Sequence, residues 1–332
     1  MKRTLRIAFS VAISIVFLYF AARGVDWSMA WAAVAGAHYV YVAPMIAITA
    51  WTLYIRAQRW RVLLRPVGHP PMRTLVAATN IGFMANMVLP LRMGEVIRPV
   101  LLSRKEQQPL GAILATIVLE RIFDLLTILL LFGISTATVG MSGTLSQWGY
   151  RLCGLAAVLA GGVIFIRWQE QLALRLLQNV LRPFPARFGE PIEHFFRGFV
   201  QALEILDSPL TFVQLIAWSL YLWLVIASIY LLGILAFDLP VPLILGAVVV
   251  TAITAIAVSA PSAPGYIGAF QIGCTLALGI FGVGESSAFA FSIVLHITQF
   301  VGVVGAGLYS LTREGVSLHQ LEEASEANAT AT

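Results

Sequence analysis

Residues Asn86 to Leu102 read NMVLPLRMGEVIRPVLL, and Leu119 to Leu126 read LERIFDLL. Arg92, Glu95, Arg98, Glu120, Arg121 and Asp124 therefore lie in or beside strongly apolar sequence. Each unpaired charge near the centre of a bilayer costs roughly 2.5 to 3.5 kcal/mol on insertion scales, so a chain with several there pairs them with one another or sets them on a substrate path. A polar site within a membrane is the expectation that organises the rest of the sequence.

Composition fixes the class. Over 332 residues, 59% are hydrophobic and 11% charged, and the mean hydropathy of +0.87 is that of a polytopic membrane protein. The formal charge of +5 sits in loops beside apolar spans, so it reads as orientation toward anionic headgroups, with no nucleic-acid partner. Cys153 and Cys274 both fall in predicted spans and have no neighbours at metal-ligand spacing. No metal and no cofactor are expected.

The fold expected is all-α and polytopic, with about eight hydrophobic units. Six are full spans of about 20 residues each: Leu5 to Ala22, His38 to Ile55, Leu110 to Ala137, Arg151 to Ile166, Leu210 to Phe237 and Ala288 to Leu311. Lys2, Arg3 and Arg6 before the first span also suit a signal peptide, but Ala21-Ala22-Arg23 is a poor cleavage site and further spans follow. Thr74 to Ser103 is flanked by arginines on both sides, and its return through Arg92, Glu95, Arg98 and Pro99 is too polar to cross alone. A re-entrant hairpin fits that segment.

Val241 to Phe281 reads either as two spans or as a second hairpin entering from the opposite side, broken at Ser259 to Gly265. This layout puts all of the 21 basic residues except Arg23, Arg121 and Arg151 on the cytoplasmic side, together with both termini, in a bacterial inner membrane. Two opposed halves, 38–137 and 210–311, each with a discontinuous segment, form the pattern of an inverted-repeat transporter with a midplane site. Between them, 167–208 shows apolar residues at helical spacing and predicts two helices on the inner membrane surface. Residues 1–312 thus form one transmembrane domain, and 313–332 form a disordered tail.

Glu120 and Asp124 share one helix face, where like charges repel unless a cation intervenes. Arg92, Arg98 and Arg121 can supply it and can hold a lipid phosphate between guanidinium forks. The competing reading is a closed ion-pair network that locks the hairpin to the span. Pro261, Pro264, Gly265 and Gly268 break the helix near Gln271, where freed amides can receive an anion, unless the segment is an ordinary proline kink. His296 is read as a hydrogen-bonded packing residue, and Arg56, Arg59 and Trp60 as an interfacial anchor that can touch headgroups. The run Gly302 to Gly307 lies inside a span and is helix packing.

Taken in order, Arg59-Trp60-Arg61, Asn86 with Leu89-Pro-Leu-Arg-Met-Gly-Glu95 and Arg98, Glu120-Arg-Ile-Phe-Asp124, and Pro261-Ser-Ala-Pro-Gly-Tyr-Ile-Gly268 with Phe270 and Gln271 resemble the lysylphosphatidylglycerol synthase transmembrane-region family. The resemblance implies translocation of a polar-headed, anionic lipid, such as a phospholipid, a polyprenyl-phosphate lipid or a hopanoid-related lipid. Its partners would be membrane lipids and enzymes of lipid synthesis. A stand-alone member without the soluble aminoacyl-transferase domain is expected to be a transporter and not an enzyme. The family's pattern has an acidic residue where Gln271 stands, so a proton-coupling role is not carried over. The alternatives are an intramembrane lipid-modifying enzyme, or an accessory subunit or scaffold of an envelope lipid pathway.

Overall fold

The computed structural model describes residues 15–89, 92–138, 144–182, 186–259 and 264–315. Among them the chain is helical, with no strand: α1 over 15–22, α2 Trp27–Gly36, α3 Val42–Leu63, α4 Met72–Val88, α5 Gly94–Glu106, α6 Leu110–Thr138, α7 Thr144–Trp168, α8 Glu170–Leu181, α9 Ala186–Ala202, α10 Pro209–Ala236, α11 Leu243–Ser259, α12 Ala269–Gly279 and α13 Glu285–Glu314. Most of the expected tail 313–332, most of the first span and the tip residues Pro90, Leu91 and Pro261 lie outside the described residues, while Arg313 and Glu314 at the start of that tail continue α13.

Helix ends follow local chemistry. Asp26 caps α2 by accepting from Ser28 N at 2.8 Å, and its own amide donates to Ser286 Oγ at 3.0 Å, which ties α2 to the start of α13. Ser208 and Pro209 start α10. Left-handed Gln107 and Gly315 end α5 and α13.

Among the described residues, three helices are long and apolar enough to cross a membrane: α3 with the turn before it (Tyr39–Leu63), α10 and α13. A fourth crossing is available if α7 and α8, bent by 103° at their junction, count as one. Of the six full spans expected, the first, Leu5 to Ala22, lies mostly outside the described residues. α6 has the length, 29 residues, but carries Glu120, Arg121 and Asp124 mid-helix, so its crossing depends on partners for those charges.

The segment Thr74 to Ser103 appears as α4 and α5 folded against each other. At 17 and 13 residues they are about 25 and 20 Å long, short of the ~30 Å hydrocarbon core. The pair closes tightly at glycine: a Cβ on Gly94 would overlap the Gly82 carbonyl, and one on Gly82 would come within 2.8 Å of Arg98 Cβ. That approach places Arg98 against α6. Val241 to Phe281 likewise appears as two short packed helices, α11 with 17 residues and α12 with 11.

The tips of the two helix pairs meet. Arg92, with a left-handed φ of 53°, donates to the Val258 carbonyl and lies 5.3 Å from the Tyr266 ring centroid. Gly265, at φ 68°, sits against the Met87 carbonyl, where a Cβ would be 3.1 Å away. Apolar packing forms two main bodies, one around Trp60, Leu63, Ile81 and Leu119 and one around Met45, Phe270, Cys274 and Phe291. α3 contributes to both and α6 flanks the space between them.

The segment 167–208 forms α8 and α9, packed on each other, with α9 covering the start of α6 where Gly198 meets the Ala112 backbone. Arg167 Nε donates to Asp207 Oδ1 at 2.8 Å, and this hydrogen bond holds the Asp207 carboxyl below its ordinary range. Gly302 lies against Thr49, where a Cβ would be 2.9 Å from Thr49 Cβ, in keeping with helix packing.

Candidate functional site

The charges cluster where α3, α5 and α6 meet, in two layers. The inner layer is sealed. Arg59 and Glu120 are fully buried and Arg98 nearly so. Arg98 Nη1 reaches both Glu120 oxygens at 3.1 Å, and Arg59 Nη2 lies 3.4 Å from Glu120 Oε1. Arg59 Nη1 donates to Asp124 Oδ1 at 2.6 Å and to Ser219 Oγ at 3.3 Å. The Arg98 guanidinium stands 3.8 Å from the Trp60 ring centroid, and Trp60 Nε1 donates to Thr116 Oγ1 at 3.0 Å.

The outer layer faces a cavity of about 400 Å³. Arg56, Arg92, Glu95, Arg121 and Asp124 form its charged wall, and Asn86, Trp223, Tyr230, Tyr266, His296 and Gln299 are among its other lining residues. Arg121 Nη2 donates to Glu120 Oε1 at 2.8 Å and lies 3.5 Å from Asp124 Oδ2, with its side chain 39% exposed. Arg56 lies 3.9 Å from Asp124 Oδ2, over the Phe83 ring. Trp223 Nε1 donates to Asp124 Oδ1 at 3.3 Å.

The charge balance of this cluster is positive. The guanidiniums of Arg56, Arg59, Arg98 and Arg121 pair with the carboxylates of Glu120 and Asp124, and with Glu95, which also acts on Arg121, set against Arg92 the cluster keeps two positive charges in excess among the described residues. Arg92 and Glu95 on the same wall cancel each other formally. Arg98 Nε and Nη2, Arg121 Nε and Asn86 Oδ1 are buried without a hydrogen-bond partner. Buried polar atoms without partners are costly; of these residues Arg121 and Asn86 line the cavity, whereas Arg98 belongs to the sealed layer.

The structure brings together Asn86, Arg92, Glu95, Arg98, Glu120, Arg121 and Asp124. It places Arg59 and Trp60 in the interior and not at a headgroup interface. The cause is that α3 runs on to Leu63 while α4, α5 and α6 close around its second half. Arg56 and Arg59 take most of the counter-ion role expected of Arg92, which instead joins the two hairpin tips. Sequence reasoning missed Arg56 and Arg59 in this role, and with them Ser219, Trp223, Tyr230 and Gln299. Thr52, Arg56, Arg59 and Leu63 do fall at helical spacing on one face, a signal that α3 continues inward.

Pro264, Gly265 and Gln271 are not among the cavity's lining residues. Gln271 Oε1 accepts from Gly268 N at 2.7 Å, so its amide nitrogen faces His296 Nδ1 at 2.9 Å. His296 Nε2 is then the protonated nitrogen and donates to the Gly265 carbonyl at 2.7 Å. These three residues fix the tip of the second helix pair, with His296 also reaching the cavity wall.

The family model described as the lysylphosphatidylglycerol synthase transmembrane region matches residues 7–307. The chain belongs to this family. A curated relative, named glycosyltransferase AglD, from Haloferax volcanii, is 27% identical over 322 residues, covering 86% of this chain and 51% of the relative. The chain thus spans about half the length of that relative. No solved structure matches the chain. The family is one of membrane proteins, and the matches give the chain a function related to membrane lipids. The expectation that the protein is not an enzyme is corrected by this comparison, because the curated relative carries an enzyme's name.

Proposed function

We propose that the central cavity binds the phosphate of a polar-headed anionic lipid within the membrane and passes that lipid from one leaflet to the other. The observation that carries this reading is the excess of two positive charges in a cluster whose outer arginines, Arg56 and Arg121, face a cavity of about 400 Å³. A purely structural lock needs charge balance, and the sealed layer of Arg59, Arg98 and Glu120 already ties α3 and α5 to α6. The outer layer is left for a ligand. Two short helix pairs, α4–α5 and α11–α12, meeting at their tips give one polar element to each leaflet, as alternating access about a midplane site requires.

Reconstitution with a fluorescent anionic phospholipid, and separately with a fluorescent polyprenyl phosphate, should show movement between leaflets when quencher is added outside. The mass of the lipid recovered afterwards is read in the same assay. Absence of movement for both lipids would sink the reading. The relative's name favours a second reading, in which the same cavity is the membrane part of an enzyme that modifies a lipid, with Glu95 or Asp124 as the carboxylate beside the reacting group. A change in lipid mass would select it.

The orientation we propose, in a bacterial inner membrane with the α8–α9 region and both chain ends in the cytoplasm, rests on the distribution of arginine. A single cysteine at Arg187 should then be labelled by a membrane-impermeant reagent only in inside-out vesicles. Labelling in intact cells would reverse the orientation.

A further inference from the structure

The opposite face of the α3–α10 pair carries a second polar cavity, of about 350 Å³. Gln58, Arg61, Arg65 and His69 line it from α3 and the turn beyond, and Gln214 and Trp218 from α10. No acidic residue is among its described lining residues. Arg65 Nη1 donates to Thr211 Oγ1 at 3.2 Å, which holds one guanidinium over the first turn of α10, where the helix end is itself partially positive. Gln214 Oε1 is buried without a hydrogen-bond partner. The slot therefore offers guanidinium donors to an anion and one unused acceptor to a hydroxyl.

An aromatic seam continues from this slot along the same helix faces. Gln58 Nε2 donates to Tyr54 OH at 2.6 Å, Trp51 stacks on Tyr54 with centroids 4.9 Å apart, and Trp51 Nε1 donates to Tyr221 OH at 3.2 Å. Trp51 and Tyr221 are 47% and 42% exposed. Arginines beside outward-facing Trp and Tyr are the arrangement found at the level of lipid headgroups. A free phosphate would use the arginines and leave the seam bare.

We propose that this slot is a peripheral site for an anionic phospholipid whose headgroup bears a hydroxyl, separate from the central cavity. Its phosphate pairs with Arg61 and Arg65, its hydroxyl donates to Gln214 Oε1, and its chains run along Trp51 and Tyr221. The residues of α3 that line the central cavity, Thr49, Thr52, Leu53 and Arg56, lie on the other face of the helix, so the two sites share no lining residue. Occupancy of the slot braces the helix that carries Arg56 and Arg59.

Native mass spectrometry of the full chain in neutral detergent tests this with phosphatidylglycerol, phosphatidylcholine and inorganic phosphate as probes. Phosphatidylglycerol should bind more tightly than phosphatidylcholine, and Arg61→Gln with Arg65→Gln should weaken it by about 30-fold. Arg121→Gln, on the central cavity, should leave this binding in place. Gln214→Leu removes the hydroxyl acceptor while leaving both arginines in place and should weaken phosphatidylglycerol but not phosphatidylcholine; it decides the matter if the double variant does not fold. Equal binding of the two lipids, equally tight binding of inorganic phosphate, or loss of the site in Arg121→Gln would each overturn the proposal.

Discussion

Replacement of Glu120 by glutamine is expected to cost about 3–5 kcal/mol of stability, the usual consequence of removing one partner from a buried ionic network. Glu120 is fully buried and is approached by Arg98 at 3.1 Å, by Arg59 at 3.4 Å and by Arg121 at 2.8 Å. Without its charge, Arg98 loses its carboxylate, Asp124 is left to Arg56, Arg59 and Arg121, and the excess rises from two positive charges to three. A sharp fall in monodisperse yield and in melting temperature in detergent should follow. Adding Arg98→Gln returns the excess to two and should recover part of the loss. An unchanged melting temperature in Glu120→Gln would show that the sealed layer holds nothing together.

The second large effect falls on function. Arg121→Gln is expected to lower transport of an anionic lipid at least tenfold while the protein remains folded, because a hydrogen bond to a charged group contributes roughly 1.5–3 kcal/mol. Glu120 retains Arg59 and Arg98 in this variant, whereas the cavity loses a cation whose side chain is 39% exposed. Arg56→Gln should act in the same direction. The informative comparison is with a zwitterionic lipid, whose movement should change much less. Equal loss for both lipids would assign Arg121 to packing and not to recognition.

The central site was partly legible because charge in apolar sequence has few physical explanations. Arg98, Glu120, Arg121 and Asp124 stood out for that reason, and the polar return at Glu95 to Pro99 marked the first helix pair. Arg56 and Arg59 did not stand out as counter-ions. Arginine near the end of a hydrophobic run normally snorkels to the interface, and only the packing of α4, α5 and α6 around α3 shows these two to be interior. Trp223, Tyr230 and Gln299 carry no local signal at all, since a single polar group on a buried helix face follows no pattern until the facing helices are known. The break at Pro264 and Gly265 was visible in composition, but its partner was not: Arg92 and Val258 are 166 positions apart.

That last pairing carries its own consequence. Because Arg92 closes on the Val258 carbonyl while Gly265 fits against the Met87 carbonyl, a displacement of one helix pair at these residues is handed to the other. The two segments behave as a toothed joint whose halves lie at distant points of the chain, and since Met87 and Val258 contribute only main-chain carbonyls to it, Arg92 and Gly265 are the two positions where a substitution unseats the joint.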